Sequence, residues 1–136
     1  MCPGLYCSMG DFRRSVHMTI SEIASLLNAR FCCGKEMAER EISAGCACDM
    51  MSDVLAYGRD QTVLLTGLVN PQVIRTAEMM DIFCIVFVRG KQPTQAMIDL
   101  AAERSLTLMT TVLPMFSACG ILYGAGIPDS RGVGDK

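Results

Sequence analysis

A chain of 136 residues with a formal net charge of −2 suits one domain with its own core, and it offers no basic footprint for nucleic-acid phosphates. With 51% hydrophobic and 19% charged residues it reads as globular, and no apolar run approaches the roughly 20 residues of a membrane-spanning helix. The opening MCPGLYCSMGDFRR lacks the apolar stretch of a signal peptide, and its arginines follow the weakly apolar part, so the expected setting is the cytoplasm.

Residues 1–17 show no period and read as a flexible tail. Thr19 and Glu22 then form a capping-box pattern, which starts a single domain expected over residues 18–128. The first helix places Ile23, Leu26 and Leu27 on one face. RFCCG (30–34) is a short strand, Gly34 to Glu41 a polar and partly helical connection, and ISAGCAC (42–48) a second short strand. Asp49 follows as the expected N-cap of a helix with Met51, Val54 and Leu55 inward. TVLLTG (62–67) is a strand, and Asn70 with Pro71 opens a helix that buries Val73, Ala77 and Met80. IFCIVFV (82–88) is apolar throughout, as a strand covered on both faces should be. RGKQPT (89–94) turns the chain into a helix with Met97, Leu100 and Ala101 inward. LTLMTTV (106–112) is the last strand, and Pro114 starts a closing helix with Phe116, Cys119 and Tyr123. Residues 129–136 are Gly- and charge-rich and read as a second flexible tail.

Strands alternating with helices imply right-handed crossovers and an α/β fold of three layers, α/β/α, around a mostly parallel sheet. Ligands of such sheets gather outside the carboxyl ends of the strands. Those ends carry Asp49 and Ser52, then Thr66, Gly67 and Asn70, then Arg89, Gly90 and Lys91, then Thr110, and these are the candidate ligand-binding residues. Asp49 and Asp53 lie four apart on one helix, but a cap and a solvated first-turn acid explain them more cheaply than a catalytic pair. Arg89 and Lys91 beside a helix N-terminus are a candidate anion contact, weighed against a solvated basic turn.

The eight cysteines, without a secretory signal, do not argue for a disulfide framework. Cys84 and Cys119 sit in apolar patterns and read as small core residues. Cys32, Cys33, Cys46 and Cys48 are the candidate metal ligands, in a spacing that contains no C-x-x-C, so thiols without metal are the preferred reading and no cofactor is expected.

The succession CDMMSDVLA, VLLTG, the helix from Asn70, the apolar strand ending RGKQP, IDLAAERS, LTLMTT and FSACGILYGAGI resembles the DRTGG domain, which is similar to the N-terminal domain of HPr kinase/phosphorylase. The resemblance covers nearly all of residues 19–127. The Asp-Arg-Thr-Gly-Gly string itself is absent, and after LLT the chain reads GLVNPQV. The resemblance implies an accessory regulatory or assembly module.

Kinase activity is not expected. A P-loop, G-x-x-x-x-G-K-[ST], would cradle the phosphates. Gly34-Lys35 and Gly90-Lys91 are followed by Glu36 and Gln92, and neither has the earlier glycine. With a single histidine, His17, outside the expected core, Ser-His-Asp and Cys-His arrangements lack their base. Three readings follow. The favoured one is a non-catalytic regulatory or protein-interaction domain that forms a homodimer, because so apolar a small domain has surface to hide. The second is a sensor of a nucleotide or other small phosphorylated ligand at the strand ends. The third is a cysteine-based metal or redox protein.

Overall fold

The computed structural model describes residues 17–57, 59 and 61–131. The expectations for residues 1–16 and 132–136 lie outside them. The chain runs through β1 (Met18–Thr19), α1 (Ile20–Leu27), β2 (Arg30–Cys33), a 3₁₀ turn (Lys35–Met37), β3 (Glu41–Ile42) and β4 (Ala44–Ala47). It continues through α2 (Met51–Tyr57), β5 (Thr62–Thr66), α3 (Pro71–Met79), β6 (Cys84–Phe87), α4 (Gln95–Glu103), β7 (Thr107–Thr110) and α5 (Met115–Gly124).

Five strands form one sheet in the order β2-β7-β6-β5-β4, and β1 pairs with β3 in a separate two-stranded ribbon. β4, β5, β6 and β7 are parallel, while β2 lies antiparallel on β7 with a bulge between Phe31 and Cys33. Side chains alternate across the sheet, as a pleated strand requires. Val63, Leu65, Cys84, Val86 and Met109 face α1 and α5, packing with Ile20, Ile23, Leu27 and Leu122. Leu64, Ile85, Phe87 and Leu108 face α2, α3 and α4, packing with Val54, Ile74, Met97 and Ala101. The three expected layers are therefore present, and the strands between the edges are apolar because both of their faces are covered.

Most local signals hold. Thr19 and Glu22 close a reciprocal capping box, with the Glu22 amide on Thr19 Oγ1 at 3.1 Å and the Thr19 amide on Glu22 Oε1 at 2.9 Å. Asn70 Oδ1 accepts from the Gln72 amide at 2.8 Å, one residue past Pro71. Two expectations about side chains fail. Leu26 and Leu55 are each 41% exposed, and α1 buries Ile20 and Ala24 in place of Leu26. Phe116 and Tyr123 also point to solvent, because α5 turns Ala118 and Leu122 inward. A helix apolar on every side gives no periodicity from which to choose its buried face.

The domain does not end at residue 128. Gly45 donates to the Pro128 carbonyl and accepts from the Ser130 amide, both at 2.8 Å, so the segment lies parallel to β4 as a short added rung. Ser130 is buried, and its hydroxyl donates to the Tyr57 carbonyl at 2.9 Å. Residues 129–131, expected to fray, are therefore docked against the sheet edge.

Candidate functional site

The carboxyl ends of the strands bring four of the expected residues into one corner, and the polar groups there are largely satisfied within the fold. Asp49 does not cap α2. Its Oδ1 crosses to the end of β5 and accepts from Thr66 Oγ1 at 2.9 Å and from the Gly67 amide at 2.8 Å. Thr66 Oγ1 in turn accepts from the Leu68 amide at 3.1 Å. A cap and a cross-strand acceptor satisfy the same carboxylate equally well, and the close parallel register of β4 on β5 decides for the second.

Asn70 is occupied as the cap of α3, and Thr110 Oγ1 donates to the Lys91 carbonyl at 2.6 Å. The amides of Arg89 and Gly90 donate to the carbonyls of Leu113 and Thr111, each at 2.8 Å, with both residues at positive φ. That leaves the side chains of Arg89 and Lys91 exposed at the rim. The Arg89 guanidinium lies over Gly67, where a Cβ would run into it. Ser52 is exposed on α2. Asp53 Oδ2 accepts from Cys48 Sγ at 3.7 Å. Asp49, Thr66, Gly67 and Arg89 thus share one corner, while Asn70, Thr110 and Ser52 serve other ends.

The four candidate metal cysteines do not share a site. Cys32 and Cys33 sit on β2 and Cys46 and Cys48 beside or on β4, the two opposite edges of the sheet. Three strands intervene, which separates the pairs by roughly 19 Å at the usual strand spacing. No group of three metal-ligating side chains comes together among the described residues. Burial raises the pKa of the Cys32, Cys33, Cys46 and Cys119 thiols, with Cys48 adding to the effect at Cys46. Those thiols are held protonated, the opposite of an activated nucleophile.

A second feature was not anticipated. Between the end of α2, the edge strand β4, α5 and residues 127–131 runs an open groove of about 590 Å³. Its aromatic rim is Tyr57, Phe116 and Tyr123, and Cys46, Cys48 and Cys119 contribute to its walls. The Arg131 guanidinium stacks on Tyr57 with its carbon 5.1 Å from the ring centre. The signal for this surface was present in MFSACGILYG, ten residues of helix without a single charge.

No helix among the described residues is long and apolar enough to cross a membrane. No family model matches the sequence, nor does any curated protein. Among solved structures the chain is similar to the CBS and DRTGG domains of the regulatory region of Clostridium perfringens pyrophosphatase, solved in complex with its activator, diadenosine tetraphosphate. The TM-score is 0.62 at 14% identity, over 79% of this chain and 46% of that one, so the chain spans less than half of that structure. The likeness is one of fold, and it matches the α/β architecture that the succession of segments led us to expect.

Proposed function

We propose that this chain is a non-catalytic regulatory domain of the DRTGG type that acts by associating with a second copy of itself, in the cytoplasm. One observation carries the reading: α5 presents Phe116, 90% exposed, and Tyr123, 64% exposed, on a helix without charge. Val112, in the turn before that helix, is 78% exposed. Large contiguous apolar surfaces on small domains mark interaction sites. The strand ends support the non-catalytic part, because Asp49, Thr66, Asn70 and Thr110 spend their polar groups on the backbone or on one another. Similarity in fold to a regulatory region supports the regulatory part. Sedimentation at micromolar concentration is expected to show a dimer. A monomer at every concentration would overturn the reading.

A second reading rests on a separate observation, the exposed cation Arg89 over Gly67 in the corner with Asp49 and Thr66, with a second exposed cation, Lys91, two residues further along. They suit the phosphates of a nucleotide, and the structural neighbour was solved with a dinucleoside polyphosphate. Calorimetric titration with diadenosine tetraphosphate tests it. Saturable binding that Arg89→Gly abolishes supports this reading, and the absence of heat in the unaltered protein rejects it.

A further inference from the structure

We propose that α5 is the contact between two copies of this chain, with the two helices crossing antiparallel about a two-fold axis that passes between Cys119 and Gly120. The proposal rests on the self-association put forward above and names the surface that carries it. Phe116, Cys119, Gly120 and Tyr123 follow at the three-, four- and seven-residue spacings of one helical face, and all four border the groove.

Gly120 is the first argument. Glycine inside a helix is less favourable than alanine, and with no Cβ it lets a second backbone come close. Its own fold places none there, because a Cβ at Gly120 would meet no atom within 4 Å. The space is therefore available to something outside the chain. Gly34 shows the contrast, since a Cβ there would press on the Thr107 backbone at 2.7 Å.

The order of sizes along the face is the second argument. Phe116 and Tyr123 stand equally far from the midpoint between Cys119 and Gly120, so the face reads large, small, small, large in either direction. An isologous interface requires such a self-complementary pattern. Two antiparallel copies set each Phe116 ring beside Tyr123 of the second copy, and the small residues let the backbones approach at the crossing.

Charge is the third argument. A two-fold axis brings residues near it against their own copies, so a charge there would meet a like charge. Met115–Gly124 carries no Asp, Glu, Lys or Arg. Of the ionic groups that line the groove opposite α5, Asp129 and Arg131 are paired with each other at 3.5 Å, and Asp53 accepts from Cys48 Sγ at 3.7 Å. Along α5 itself, therefore, two copies related by the axis set no charge against its own like.

Cys119 near the axis makes the geometry measurable. Mild oxidation of the native protein with copper phenanthroline should join Cys119 to Cys119 of the second copy, two thiols giving two protons and two electrons to the added oxidant. Peptide mapping is expected to find that disulfide, and Cys119→Ser to remove the covalent dimer. Gly120→Arg is expected to weaken the dimer by about tenfold or more in native mass spectrometry while leaving the circular dichroism unchanged. If Gly120→Arg does not fold, Phe116→Ser and Tyr123→Ser, both at exposed rings, should give the same loss. A dimer that cross-links through other cysteines and ignores these substitutions overturns the α5 contact and leaves self-association standing. A protein that is monomeric before any substitution overturns both.

Discussion

Gly34→Ala should destabilise the fold strongly for the addition of a single methyl group. Gly34 holds φ +82° and ψ +17° at the entry to the 3₁₀ turn, a left-handed conformation that costs an L-residue roughly 1–2 kcal/mol. The added Cβ would stand 2.6 Å from Thr107 Oγ1, 2.7 Å from Thr107 Cα and 2.8 Å from the Leu106 carbonyl oxygen. Two of these are backbone atoms at the start of β7, in the sheet interior, and no flexible side-chain end can yield. Moving the turn away instead breaks the bond from the buried Thr107 hydroxyl to the Gly34 carbonyl, 3.1 Å long. An unsatisfied buried hydroxyl costs about 1–3 kcal/mol, so together the two terms come to about 2–5 kcal/mol. Against a typical domain stability of about 5–15 kcal/mol, that is a large fraction. In urea, with a slope of about 2 kcal/mol per molar, the midpoint should fall by about 2 M with the slope unchanged. Gly90→Ala is the internal control, because φ is +70° there but a Cβ meets nothing within 4 Å, so only the conformational cost of about 1 kcal/mol should appear. If the two variants lose the same stability, or Gly34→Ala loses less than about 1 kcal/mol, the steric reasoning is wrong.

Cys84 and Ser130 give two further tests. Complete burial in β6 pushes the Cys84 thiol up from 9.0 to about 12. The unfolded chain releases that proton near pH 9 while the folded chain keeps it. The folded state then binds more protons, and stability falls as pH rises from about 9 towards about 12. Cys84 alone contributes about 1.4 kcal/mol per pH unit across that window, so Cys84→Ala should flatten the alkaline decline in urea midpoint, and equal slopes would refute the assignment. Ser130→Ala removes the bond to the Tyr57 carbonyl and should cost about 1 kcal/mol. Its local sign should be several-fold faster hydrogen exchange at the Gly45 amide, which donates to Pro128, and unchanged exchange there would show that the Gly45 bridge holds the segment by itself.

The amino-acid order by itself determined the pieces whose physics is local. The capping box at Thr19 and Glu22, the Asn70–Pro71 helix start and the wholly apolar β6 are each set by hydrogen bonds or burial patterns within a few residues. The alternation of those pieces was enough to give the α/β class and the mostly parallel sheet. Which distant segments lie side by side was a matter for the tertiary structure. Placing β2 beside β7 sent Cys32 and Cys33 to one edge and Cys46 and Cys48 to the other, which no spacing between cysteines could reveal. The nearness of β5 turned Asp49 from a helix cap into an acceptor for Thr66 and Gly67, although the residue type suits both roles. Residues 129–131 read as a tail until Gly45 supplied a donor and an acceptor at the open edge of β4. In α5, apolar residues all round gave the sequence no means to choose a buried face. Packing on the sheet chose Ala118 and Leu122, and that choice left Phe116, Gly120 and Tyr123 facing outward, because a helix can turn only one side to a core.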